Sequence, residues 1–241
     1  VWNGDQRVTE AENREGDLEF GVGREMPSWA EYRFGLRRGG GQTKLRVGDP
    51  STITEPRFER GELFARFEAD TLDNVSFPHS GTVARSEWRG SRQGLGSDDD
   101  FNQLLFSVVH ANTWGRHTLV TSFRYDTTTS GTAPLNRLFT IGGFLDLSGL
   151  SQNQFAGQEA SRVGAVYYRR IGNLALFPAY AGVSLEFGNV WDKRSDISSH
   201  EAILGSSLWA GVQTPIGPAY VAYGHAEGGH SAFYVYLGRV F

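Results

Sequence analysis

The sequence predicts an all-β fold, an antiparallel transmembrane β-barrel. Three observations predict it: a composition low in apolar residues but rich in rings and glycine, a period-two alternation of apolar and polar residues along most of the chain, and joints that are alternately short and long. Of 241 residues, 39% are hydrophobic and 13% aromatic, with 16 Phe, 9 Tyr, 6 Trp and 31 Gly. Soluble domains average about 45–50% apolar, and a helical bundle would need a larger apolar fraction with fewer glycines. No stretch approaches the ~18–20 uninterrupted apolar residues of a spanning helix, which excludes a helical membrane protein.

The chain has no Cys, which removes disulfides, thiolate catalysis and Cys-based zinc sites together. Lys and Arg number 23 against 27 Asp and Glu, a net charge of -4, so nucleic acid is not an expected partner. The opening Val1-Trp2-Asn3-Gly4-Asp5 is neither a start Met nor a charged-then-apolar signal, and reads as a piece of a longer precursor.

The elements follow in chain order. Leu18, Phe20 and Val22 alternate with charged and small residues. Along 30–37, Ala30, Tyr32, Phe34 and Leu36 oppose Glu31, Arg33, Gly35 and Arg37. Along 62–70, Leu63, Ala65, Phe67 and Ala69 oppose Glu62, Arg66, Glu68 and Asp70, and only Phe64 breaks rank. Weaker stripes follow at Ala84-Ser86-Trp88, Leu104-Phe106-Val108 and Leu119-Thr121-Phe123-Tyr125, then over 162–170. Phe177, Ala179, Ala181, Val183, Leu185 and Phe187 oppose Tyr180, Gly182, Ser184, Glu186 and Gly188, and further strands fall at 204–214, 219–225 and 232–241. Period two is strand, because successive side chains point to opposite faces. About eleven segments result, most near the ~9–11 residues of a tilted bilayer-crossing strand.

Short joints at 26–28, 113–115, 171–173 and 214–218 alternate with long polar ones at 39–60, 91–100, 127–159 and 189–200. Membrane barrels keep this parity, with tight periplasmic turns at one rim and long loops at the other. A soluble sandwich would bury the same aromatics in a core but has no reason to keep the parity. A Lys or Arg on the lipid face costs roughly 2–4 kcal/mol at the midplane, so Arg33, Arg37, Glu62, Arg66, Glu87 and Arg89 are expected to line a polar lumen.

The string Asp70-Thr71-Leu72-Asp73-Asn74-Val75-Ser76-Phe77-Pro78-His79-Ser80-Gly81 resembles the D-x-x-D-N-x-x-F-P-x-x-G turn of the bacterial surface-antigen barrels, the superfamily of outer-membrane assembly factors and two-partner-secretion transporters. Phe139-Thr140-Ile141-Gly142-Gly143 is similar to the run that precedes the family's inward-folding loop. Ser184-Leu185-Glu186-Phe187-Gly188-Asn189-Val190-Trp191 resembles its F-V-D-x-G-N-V-W lumen strand, with Glu186 and Gly188 at the key positions. Tyr236-Leu237-Gly238-Arg239-Val240-Phe241 is similar to its terminal strand, in which Tyr236, Gly238 and Phe241 would form the signal read by the outer-membrane insertion machinery.

One departure stands out. The family's loop carries V-R-G-[FY], whose Arg pairs with the acid of the later strand, whereas Leu147-Ser148-Gly149-Leu150 stand here and the Arg is a Ser. The departure points to the patatin-like, PlpD-type branch of type V secretion. That resemblance implies a 16-stranded barrel of which residues 1–241 are the C-terminal part, with 1–16 an extracellular loop or partial strand. A closed 12-strand barrel using residues 1–8 is the alternative. The implied role is to anchor, and help export, an N-terminal patatin-like lipase domain outside this chain; a transporter, assembly factor or pore without a passenger is the alternative. Expected partners are membrane lipids, the insertion machinery, that passenger and, through an unpaired edge strand, a second copy of the chain.

No catalytic residue, metal ligand or cofactor is expected in the chain. No G-x-S-x-G nucleophile string occurs. Ser107 and His110 are offset by three, which puts them on opposite faces of a strand. His225 and His230 flank a hairpin tip, and Asp98-Asp99-Asp100 reads as a solvated acidic run. Asp70 and Asp73 are expected to cap a periplasmic turn through side-chain-to-backbone bonds.

Overall fold

The computed structural model describes residues 2–3, 6–7, 10–27, 29–47 and 57–240. Eleven strands form one antiparallel sheet: β1 (Glu10–Met26), β2 (Ala30–Val47), β3 (Arg57–Asp70), β4 (Gly81–Ser91), β5 (Phe101–Trp114), β6 (His117–Ser130), β7 (Glu159–Leu174), β8 (Phe177–Trp191), β9 (Ile203–Thr214), β10 (Gly217–Ala226) and β11 (His230–Leu237). Each pairs with its sequence neighbours, so the order in the sheet is the order in the chain. Before β1, Trp2–Asn3 pairs with Gln6–Arg7. A second short ladder, Phe139–Ile141 with Phe155–Gly157, lies inside the 131–158 loop.

The alternation read from the sequence sets which side faces out. Phe233 and Val235 are 71% and 77% exposed, and Leu18, Phe34, Phe67, Val183, Leu185 and Leu204 are exposed with them. Glu62 and Glu186, from the opposite stripes, are each 1% exposed. A soluble sheet would show the reverse, so the apolar stripe faces hydrocarbon and the charged stripe faces inward. The sheet curls strongly. Phe77 has ring contacts with Tyr168, Tyr180, Trp209 and Tyr220, one from each of β7 to β10. Strands ~4.8 Å apart in a flat sheet could not all reach one ring.

Several boundaries differ from the sequence reading. The strands run from 8 to 18 residues, longer on the whole than a membrane crossing requires, because hairpins continue past the apolar band. Within the long joint expected over 39–60, residues 39–47 belong to β2 and 57–60 to β3, and Gly39, Gly40 and Gly41 stay in register with Asp17, Gly16 and Glu15 of β1. Residues 171–173 are not a turn: β7 continues to Leu174 through a register shift between Arg170 and Gly172, and the turn is Ala175-Leu176. The last strand stops at Leu237 rather than running to 241, because Gly238 takes φ +132°. Residues 10–16, within the segment read as loop or partial strand, belong to β1.

Candidate functional site

Two chain segments enter the space enclosed by the sheet, one from each rim. The turn 71–80 enters from the rim of the short joints. Asp70 Oδ1 accepts from Leu72 N–H (2.8 Å), and Asp73 Oδ1 accepts from His79 and Ser80 N–H (2.8 and 3.0 Å). Asn74 Oδ1 accepts from Ser76 and Phe77 N–H (2.7 and 3.1 Å). The turn closes at Gly81, whose φ of +105° and close approach to Thr71 O exclude a side chain. These bonds drive Phe77 inward to 1% exposure, stacked on Tyr180 at 4.2 Å. Tyr168 OH donates to Pro78 O, and Tyr220 OH donates to Ser76 O at 2.9 Å. Burial against the two neighbouring backbones and three side-chain caps thus makes Asp70, Asp73, Asn74, Phe77, Pro78 and Gly81 one unit.

Asp73 lies on this turn, outside the strands. Burial alone would raise its carboxyl, but the N–H groups of Ser80 and His79, aided by the His79 ring, hold it below the usual 3.8.

The 131–158 loop enters from the opposite rim. Gly142 and Gly143 (φ +124° and +120°) reverse the chain after the short ladder, and Leu145 and Leu147 follow with φ of 60° and 80°. A left-handed leucine costs of order 1–3 kcal/mol and persists only where surroundings enforce it. Here burial enforces it: Leu147 and Leu150 are fully buried with Ile141 and Ala226. The chain approaches β10 so closely that a Cβ on Gly149 would lie 2.3 Å from Ala226 N.

Between these leucines sits Ser148, also fully buried. Its N–H donates to Glu186 Oε2 (3.0 Å) and its hydroxyl to Glu186 Oε1 (3.2 Å), while Oγ accepts from Leu145 N–H (3.0 Å). The loss of the family's Arg therefore does not free the loop, because a serine and its own peptide supply donors to both carboxylate oxygens. Glu186 is reached because Gly205, its partner on β9, leaves no side chain in the way. Gly188, two residues on, pairs with Arg162 of β7, whose Nε lies 3.0 Å from Asp146 of the loop. Further holds are Arg137 on Glu62 and Tyr234 OH, which accepts from Gly149 N–H (2.9 Å) and donates to Leu150 O (2.6 Å). The loop's Phe144 reaches the same aromatic cluster as Phe77, through Trp209, Tyr220 and Tyr234.

The sequence reading gave no role to Arg137, Asp146, Arg162 or Tyr234, and it placed Tyr180 on the inner stripe without assigning the inward rings a function. The signal was available: Tyr168, Tyr180, Trp209, Tyr220 and Tyr234 each occupy the stripe opposite the apolar one. At the C-terminus, Tyr236 packs against the aromatic cluster and Gly238 N–H donates to Pro218 O at 2.9 Å. Phe241 lies outside the described residues. Ser107 of β5 faces inward, whereas exposed His110 bonds Thr82 (2.9 Å) on the outer side. Asp98 and Asp100 accept from backbone N–H groups of Glu59 and Gln93. Among the described residues no group of acids and histidines has the makings of a metal site.

This arrangement defines a class: an antiparallel membrane-barrel wall with apolar outer stripes, an ionised inner face, and a loop folded into the lumen. A model of the Omp85 superfamily domain matches residues 13–241, and the chain belongs to that superfamily. It is a bacterial outer-membrane β-barrel. Among solved structures it is similar to BamA from Haemophilus ducreyi lacking POTRA domains 1–3, at 12% identity and a TM-score of 0.75. The match covers 93% of this chain and 54% of that one, so the chain spans about half of that structure. A search of curated proteins gives no match.

Proposed function

We propose that this chain is the membrane-embedded part of an outer-membrane factor that assembles or transports other polypeptides, working by displacement of what fills its lumen rather than by covalent chemistry. One observation carries the reading. The 131–158 loop is held across the inner wall at separate points, Arg137 on Glu62, Asp146 on Arg162, Ser148 on Glu186 and Gly149 on Tyr234. A loop fastened to the inner wall at four separate points fits a lumen held closed at rest better than a freely open pore. A factor that passes a chain through or along its wall needs a lumen sealed at rest. The BamA-like fold is in keeping with this reading.

The narrower reading, an anchor for an N-terminal patatin-like lipase, rested on the missing Arg of the loop. Ser148 holds the loop without that Arg, which takes away the reason for preferring the narrower branch. The full-length protein is expected in outer-membrane fractions with heat-modifiable gel mobility, and its depletion is expected to lower the amount of at least one other protein in that membrane or outside it. An unchanged outer-membrane and secreted protein profile after depletion would overturn the proposal. Phe241 is proposed as the insertion signal; its deletion should lower the heat-modifiable fraction, and undiminished assembly would remove that role.

A further inference from the structure

At the rim of the short turns, which is the periplasmic rim of such barrels, a cleft of about 460 Å³ opens between the turn 71–80 and strands β5 to β8. It is lined by His79, Thr113, Arg116, Thr118, Arg170 and Asn173 among others. The geometry points to a binding site for the phosphate-bearing headgroup of a phospholipid from the inner leaflet, held between Arg116 and Arg170. The inference rests on the membrane placement of the barrel and is independent of the proposed transport role.

Charge is the first support. Inside the barrel Arg37, Arg60, Arg66 and Arg162 each meet a carboxylate. Among the described residues Arg116 and Arg170 form no ion pair, and no Asp or Glu lines the cleft. Asp73 lies 3.5 Å from the ring of the lining His79, and its carboxylate is already engaged by the backbone N–H groups of His79 and Ser80. Arg170 N–H donates to Arg116 O at 3.3 Å, which brings the two residues together. Arg170 Nη2 also donates to Asn173 Oδ1 (3.0 Å), which helps fix the guanidinium at the cleft. Two guanidiniums with nearby hydroxyl and amide groups suit a phosphodiester, which accepts several charge-assisted hydrogen bonds.

Rim shape is the second support, and it selects a lipid over a free anion. The turn between β5 and β6 is only Gly115-Arg116, and pairing of β6 with β7 ends at His117 and Arg169. The β7–β8 hairpin continues five residues further, to Leu174. The low turn beside the tall hairpin leaves a step in the rim next to the cleft. On the outer side of the step Trp114, His117 and Tyr167 stack in series, with centroids 6.4 and 5.9 Å apart. Such amphipathic rings mark the level of headgroups. On the bilayer side of these rings the paired Val163 and Phe123 are 53% and 37% exposed, an apolar surface suited to acyl chains. A headgroup can thus lap over the Gly115-Arg116 turn while its tails stay outside.

The test is binding of short-chain phosphatidylglycerol to the delipidated chain in detergent, read by native mass spectrometry. Short-chain phosphatidylcholine and inorganic phosphate are run in parallel. Saturable phosphatidylglycerol binding is expected, weakened roughly tenfold or more in the doubly substituted Arg116→Gln/Arg170→Gln chain. Arg24→Gln, an exposed arginine at the same rim on β1, should leave binding unchanged, and heat-modifiable mobility verifies that each variant is folded. Equal binding by wild type and double variant would overturn the site. An equal loss in Arg24→Gln would reduce it to general charge attraction, and phosphate binding as tightly as the lipid would refute the lipid assignment.

Discussion

Ser148 and Glu186, 38 residues apart in sequence, are joined by two hydrogen bonds that use both oxygens of the carboxylate. Both groups are buried, and hydrogen bonds to a charged partner are worth about 1.5–3 kcal/mol. Ser148→Ala removes one of them and orphans Leu145 N–H, whereas Glu186→Ala removes both. The loop 131–158 contains a single basic residue, Arg137, so trypsin reports its opening at one bond. Cleavage after Arg137 is expected to rise roughly tenfold in Ser148→Ala and further in Glu186→Ala, where it follows the open population. Wild-type cleavage rates in both variants would mean that this contact does not hold the loop.

Tyr234 ties the same loop to the last strand, and one hydroxyl does it by accepting from Gly149 and donating to Leu150. Tyr234→Phe keeps the ring beside Phe144 and removes only the bonds. A loss of about 1–3 kcal/mol in local stability is expected, because the Gly149 N–H and Leu150 C=O both lose their bonds to the phenolic hydroxyl. Hydrogen exchange of the amides around Gly149 should accelerate accordingly, while amides of β4 and β5 stay protected. Uniform acceleration across the sheet would show a global effect instead.

How much of this could be read in advance depends on which interactions leave a mark in one dimension. The outward stripes did, because lipid imposes period two on Val183, Leu185 and Phe187 wherever the strand lies in the membrane. Strand ends did not: Gly39, Gly40 and Gly41 carry no stripe, and only pairing with β1 makes them strand. The loop's partner Glu186 was legible as a motif. Its bonding was not, because half of it comes from the Ser148 peptide N–H, which every residue but proline possesses. The cluster around Phe77 was half visible, as rings on the inner stripes, but nothing local says that a turn from one rim and Phe144 from the other converge on them.

Phe77 is the side chain through which the turn 71–80 is fastened to the barrel. Removing a buried phenyl ring costs about 3–5 kcal/mol, and here the Tyr168 and Tyr220 hydroxyls, bonded to Pro78 and Ser76 carbonyls, are disturbed with it. Phe77→Ala is expected to lower the temperature at which the protein loses heat-modifiable mobility by several degrees. Val75→Ala, on the exposed side of the same turn, should stay within about 0.5 kcal/mol of wild type. Similar melting of the two variants would show that ring burial is not what fastens the turn.

The same turn carries a pH dependence whose sign is fixed by Asp73. Its carboxyl titrates below the ordinary 3.8 when folded, because backbone donors at Ser80 and His79 prefer the ionised form. A depressed folded value contributes stability that is complete above the unfolded value and disappears as the pH falls through the folded one. The turn should therefore loosen as the pH falls below 3.8. Asp73→Asn keeps an acceptor oxygen but cannot ionise, so it should be somewhat less stable at neutral pH and lose less on acidification. Melting of wild type and Asp73→Asn on acidification from neutrality tests it: the gap between them should close as the pH falls below 3.8. A gap that stays constant would place the stabilisation in geometry rather than in the charge.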